Sequence, residues 1–134
     1  MQAHFERRRE QGEVRQAKRM IAEDVLRIAI HLRGMATSKS TPRSLGSAEA
    51  MFLPTTAWKE YGPVLARHWK DDQNDEYDTL SLYMTSVSVM RSLLAGQPAN
   101  APLGANLLER VEEGEELVAE CYTILTGNPV PDPD

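Results

Sequence analysis

The chain has 134 residues, 15 Lys/Arg against 20 Asp/Glu, a net charge of −5 and one cysteine. One cysteine excludes an internal disulfide framework and a thiolate zinc site, and no apolar run approaches the roughly 20 residues that span a bilayer. The acidic balance disfavours nucleic acid as a partner, and the charged start, with no apolar stretch behind it, reads as lacking a signal peptide.

The length predicts one domain, large enough to bury a core without staples. Its charge is uneven. Residues 1–44 hold ten Lys/Arg and five Asp/Glu, whereas residues 45–134 hold five and fifteen. The basic share starts with "ERRREQGEVRQAKR", residues 6–19, which carries six cations in fourteen positions.

The first element is a helix. Val14, Ile21, Ile28 and Met35 recur every seven residues, and Ala17, Val25 and Leu32 fill the positions between them. That is one apolar stripe, predicted to run to about Arg33 with Gly34 as its stop. Good helix formers before Val14 extend it backwards to about residue 5, a length of ~40 Å at 1.5 Å per residue. Such a helix overhangs its neighbours, with Gly12 softening the junction. The overhang makes Arg7, Arg8, Arg9 and Arg15 the candidate contacts for a protein partner or an anionic lipid surface.

"GMATSKSTPRSLGS" follows, rich in Ser, Thr, Gly and Pro, and predicts a mobile loop over 34–54. A short helical turn over "SAEAMFL" fits Ser47 as its cap. In "PTTAWKEYGPVLARHWK", Trp58, Tyr61, Leu65 and Trp69 share a face, and Gly62-Pro63 interrupts it. The expectation is a short turn from about Thr56, then a helix from Pro63 to about Lys70. After the "KDDQND" turn, Tyr77, Leu80, Tyr83, Met84, Val87, Met90 and Leu94 form a third helical stripe, closed by Gly96 and Pro98. The same stretch also alternates like a strand through Leu82 and Val89; the length of the stripe and the lack of a strand partner favour helix. Leu107, Val111, Gly114, Val118, Cys121 and Leu125 then alternate spacings of four and three, the seam of a bundle helix that Gly127 and Pro129 close.

Four amphipathic helices without strands define an all-α protein, a four-helix bundle-like fold in up-and-down order with a long first helix overhanging at its N-terminus. Residues 1–13 are read as a basic helical extension, 14–127 as the bundle domain and 128–134 as a disordered tail.

Little points to catalysis. His4, His31 and His68 lack the Glu-x-x-His and H-E-x-x-H spacings of metal sites, so no metal and no cofactor is expected. Asp24 and His31, seven apart, make the nearest acid–base pair, but a polar border to the core explains them better. His68 and Asp72 close the second helix. Cys121 lies in the fourth seam as a small hydrophobe. "GMATSKS" lacks the glycine before lysine of a phosphate loop. Arg27 and His31 are too close for the Arg-x4-6-His motif of helical nucleases. Trp58, Tyr61, Trp69 and Tyr83 could line a ligand pocket, although their stripes are also what a bundle must bury. The acidic "ERVEEGEELVAE" reads as a solvated face.

"RRREQGEVRQAKRMIAEDVLRIAIHL" and "LPTTAWKEYGPVLARHW" together resemble small bacterial proteins in which one membrane helix leads through a basic stretch into a cytosolic helical domain. The likeness covers roughly residues 6–70 and rests on the Arg-rich start, the "AKRMIAEDV" segment with Glu23, and Trp58. It implies a location at the inner face of the membrane and supplies no activity; the membrane helix itself is not in this sequence. The expectation is therefore a non-enzymatic interaction or regulatory domain, cytoplasmic, with a protein partner or an anionic membrane. A small-molecule sensor using the Trp/Tyr/Met stripes is the alternative. Oligomerisation is compatible with either.

Overall fold

The computed structural model describes residues 2–41, 53–69, 71, 73–95, 97 and 101–131. Four helices are present among them: α1 (Gln2–Ser38), α2 (Thr56–His68), α3 (Asn74–Ala95) and α4 (Ala105–Thr126). No strand occurs among these residues beyond an isolated bridge between Ser40 and Pro102. The protein is all-α.

Helix α1 has 37 residues, about 55 Å at 1.5 Å per residue. Its predicted stripe is the centre of the core: Ala17, Ile21, Val25, Ile28, Leu32 and Met35 are all buried. Residues 8–12 are exposed, so the N-terminal end does overhang the bundle. Gly34 does not stop the helix. Glycine costs about 1 kcal/mol in a helix interior, and burying Met35 one position later returns more than that. The stop falls at Lys39, whose left-handed φ of 55° lets its N–H donate to the Met35 carbonyl at 2.7 Å. Residues 34–38 are therefore helix rather than loop. Residues 42–52, with the turn expected over "SAEAMFL", lie outside the described residues.

A clip then ties the end of α1 to the start of α4. Thr41 N–H donates to the Ala101 carbonyl at 2.8 Å, and Leu103 N–H donates to the Lys39 carbonyl at 2.9 Å. Ala101 N–H donates back to Thr41 Oγ1 at 2.7 Å.

Helix α2 is one helix where a break at Gly62-Pro63 was expected. Pro63 sits inside it. Pro63 and Lys59, whose carbonyl loses its helical partner, are both on the exposed face, where water can replace the bond. Gly62 serves a different need. A Cβ there would lie 3.3 Å from Trp58 Cδ2, so the glycine gives the indole room to lie across the helix.

Helix α3 buries Leu80, Tyr83, Met84, Val87, Met90 and Leu94, the helical stripe. Leu82 and Val89, which suggested a strand, are 70% and 46% exposed on its outer face. Helix α4 buries Val111, Gly114, Val118, Cys121 and Leu125 as its spacing predicted. It ends at Gly127, in the left-handed conformation at φ 75°, with Gly127 N–H donating to the Thr123 carbonyl. Beyond it, Asn128 N–H donates to Thr126 Oγ1 at 3.1 Å and Val130 packs on the core. Of the stretch read as a tail, 128–134, residues 132–134 lie outside the described residues.

Pairs of residues set the topology. Asp24 meets Ala57 and Glu13 meets His68, so α1 and α2 run antiparallel. Gly114 faces Leu32 and Met90, while the distal halves of α1 and α4 meet around Ala22 and Tyr122. Helix α4 therefore runs antiparallel to α1. A short turn, closed by Gln73 N–H donating to the Trp69 carbonyl, leads α2 into α3. The order is up-and-down. Around Gly114 the helices approach closely: a Cβ there would lie 3.2 Å from both Leu32 Cδ1 and Met90 Cε.

Candidate functional site

The described chemistry concentrates at the overhanging end of α1, opposite Gly114. Arg8, Arg9, Arg15 and Arg19 are exposed along that helix, and Arg67 is exposed at the end of α2. The side chain of Arg7 lies outside the described residues. Arg9 Nε is 3.4 Å from Glu13 Oε1, a highly exposed i,i+4 pair that contributes little to stability. Glu13 also reaches His68 Nε2 at 3.3 Å, which joins the end of α2 to α1. Arg9, Glu10, Glu13, Arg67 and His68 together line a small cleft of about 210 Å³.

Lys18 is the centre of this end. Its Nζ lies 4.8 Å from the centroid of the Trp69 ring, a cation–π contact between α1 and the end of α2. Burial holds its pKa below the ordinary 10.5. Three clefts meet at Lys18. One, of about 410 Å³, runs past Val14, Arg15, His68 and Trp69. A second, wider one lies between Trp69, Gln73 and the outer face of α4 at Glu120 and Ile124. The third lies between α1 and the C-terminal turns of α4. It has about 350 Å³, with Arg15, Lys18 and Arg19 at one end and Ala22, Leu26 and Leu125 along it. Among the described residues no carboxylate forms an ion pair with Arg15, Lys18 or Arg19.

The four aromatic residues expected to share a pocket are dispersed. Trp58 stacks at a tilt on Tyr77, with ring centroids 5.7 Å apart. Tyr61 packs on the rim of the core. Tyr83 is only 2% exposed, and its hydroxyl has no hydrogen-bond partner among the described residues. Burial, with Cys121 beside it, pushes that phenol above its ordinary range. Of the four, Trp69 alone lines any of these clefts. Tyr83 belongs to the core, Trp58 and Tyr61 pack partly buried against it, and Trp69 faces the clefts beside Lys18.

Asp24 has a different task from the acid–base role considered for it. Its Oδ2 accepts the Ala57 N–H at 3.0 Å, at the first turn of α2, where an anion also complements the helix dipole. Thr55, the residue preceding that helix, makes no side-chain cap, so α1 supplies one from outside. His31 lies seven residues on, about 10 Å along the axis, and burial lowers its pKa. Asp72, four residues after His68, lies outside the described residues. Cys121 is fully buried, and burial with the nearby Glu120 charge pushes its thiol up to about 12. That is the opposite of an activated nucleophile. No group of three or more His, Cys, Asp or Glu capable of holding a metal occurs among the described residues. No helix among them is long and apolar enough to cross a membrane.

Sequence reasoning picked out the arginines of this end but missed Lys18, Arg19 and Tyr122. The available signal was positional: Lys18 and Arg19 border the apolar stripe one turn before Ala22, where a long cation can reach a neighbouring helix. Comparison with protein-family models, curated proteins and solved structures finds no match.

Proposed function

We propose that this protein is a non-enzymatic helical interaction domain whose basic end engages an anionic surface, the cytoplasmic face of a membrane being the preferred one. The observation that carries the reading is the line of exposed arginines along the overhanging half of α1. Arg8, Arg9, Arg15, Arg19 and Arg67 are exposed at one end of a chain with a net charge of −5. Exposed Glu10, Asp71, Asp75 and Asp78 share that end, so a protein with this balance meets anionic lipid favourably only along the arginine-bearing face of α1. The field of the whole molecule therefore orients the approach. Each arginine near an anionic bilayer contributes about 1 kcal/mol, attenuated by salt.

The test is sedimentation with phosphatidylglycerol-rich vesicles and with pure phosphatidylcholine vesicles, in low and high salt. Binding to the first, not the second, with loss in high salt, is the expected result. Arg8→Gln with Arg9→Gln should weaken it by roughly tenfold to thirtyfold at low salt. Equal binding to both vesicle types, or none to either, overturns the proposal.

A further inference from the structure

We infer that the cleft between α1 and the C-terminal turns of α4 binds an anionic amphiphile, a phosphate-type head on an alkyl chain. This deepens the proposal above and rests on its reading of the basic end as facing anions.

The cleft is polarised along its length. Arg15, Lys18 and Arg19 gather at the end nearest the overhang, and the rest is mainly apolar, with Ala22, Leu26 and Leu125 along it, Tyr122 at its side, and Glu23 and Thr126 as its polar members. Arg15 and Leu26 are eleven residues apart, about 16 Å along the helix. That separation matches a charged head followed by a chain, and it is too long for a compact anion. The one carboxylate lining the cleft, Glu23, lies a turn beyond Arg19, towards the apolar end, and disfavours a second negative group there. A volume of about 350 Å³ is within the span of small-molecule sites, roughly 300–1,000 Å³.

Arg15 and Arg19 are exposed, while Lys18 also ties α1 to the end of α2 through Trp69. Arg9 and Arg33 are ion-paired with Glu13 and Glu115, whereas Arg15, Lys18 and Arg19 pair with no carboxylate among the described residues. Lys18 is also fixed in place. Its ammonium rests over the Trp69 ring, so less side-chain freedom is lost when an anion arrives. Its partial desolvation strengthens any charge it meets. Arginine supplies planar donors suited to a phosphate, and lysine adds a point charge between them.

The head-and-chain chemistry could come from a bilayer lipid or from a free amphiphile in solution, and the experiment separates them. Calorimetric titration of the whole protein with decyl phosphate, kept below its micelle concentration, should show saturable binding at a single site. Inorganic phosphate and decyl maltoside, which each supply half of the ligand, should bind far more weakly. Lys18→Gln and Arg19→Glu should each weaken decyl phosphate by about tenfold or more, the scale of a lost charge-assisted hydrogen bond. Both positions lie at the surface end of α1, and circular dichroism checks the helices. Arg110→Gln, on the exposed face of α4 away from the cleft, should leave binding unchanged.

Inorganic phosphate binding as well as decyl phosphate overturns the inference, as does wild-type affinity in both variants. So does absence of decyl phosphate binding while anionic vesicles still bind, and in that case the surface reading stands without this cleft. Decyl phosphate binding without vesicle binding supports the cleft, assigns it to a free amphiphile and overturns the membrane reading instead.

Discussion

The same two helices, α1 and α4, meet in different ways at their two ends. Near Leu32 the contact is sealed. Gly114 brings the α4 backbone against Leu32 and Met90, and Arg33 Nε pairs with Glu115 Oε1 at 3.5 Å across the edge. Near Arg19 the contact is grooved, and a cleft runs past Ala22 and Leu26 on α1 and Tyr122 and Thr126 on α4. The difference lies in side-chain size and charge. A glycine facing two long hydrophobes closes a helix pair. Long cations at the flank keep it apart, because their heads must remain near water. One interface thus serves stability at one end and binding at the other.

The largest expected effect breaks the sealed end. Gly114→Val places branched carbon against Leu32 and Met90, and should cost about 2–3 kcal/mol in urea unfolding. Cys121 reports the same event. Buried and un-ionised in the native protein, it should react with thiol reagents faster in the variant. Arg19→Ala at the open end should change stability by no more than about 0.5 kcal/mol. Equal costs at the two ends would erase the contrast.

Next comes the α1–α2 contact. Asp24→Ala removes the only side-chain acceptor described for the first turn of α2. The expected loss is about 1 kcal/mol by urea unfolding, with Asp24→Asn retaining part of it. Smaller and opposite in sign, Tyr83→Phe removes a buried hydroxyl without a partner. It should raise stability by roughly 1 kcal/mol, which would mark the phenol as a flaw in an otherwise sealed core.

The smallest effect concerns pH. Burial lowers the His31 pKa from 6.5, so the unfolded chain takes up its proton first as pH falls. Stability that this histidine contributes above pH 6.5 is then lost on the way down through its folded-state pKa. His31→Gln should flatten that part of the urea-midpoint profile. A profile unchanged by the substitution would assign the acid loss to the carboxylates.

The sequence was informative wherever the determinant is a repeat along one helix. The seam of α4 is buried from Val111 onward, with Leu107 partly buried, and Ile21, Ile28 and Met35 of α1 follow their seven-residue period into the core. Val14, the first member of that period, is only half-buried, because it faces the cleft at His68 and Trp69. What the period could not show depends on a second element. The Asp24 cap spans 33 residues and the Lys18–Trp69 contact spans helices. Local rules misled at Gly34 and Pro63 for the same reason: each carries a real local penalty, which burial of Met35 and the exposed side of α2 offset. The arginines of the candidate site were legible from composition. The cleft beside them was not, since it exists only once α4 lies against α1.

The Thr41–Ala101 clip closes a loop of sixty residues, and α1 finds its main partner only in the helix beyond that loop. In the order in which a ribosome makes the chain, α1 emerges early and waits through α2 and α3 for α4. Until then Leu32, which closes on Gly114, lacks that cover. Closing so long a loop carries an entropic cost that helical bundles built from neighbours alone avoid, and their folding is correspondingly faster. The nascent chain of this protein should therefore depend on chaperones until synthesis passes α4, and protection of α1 from protease should appear late and in a single step.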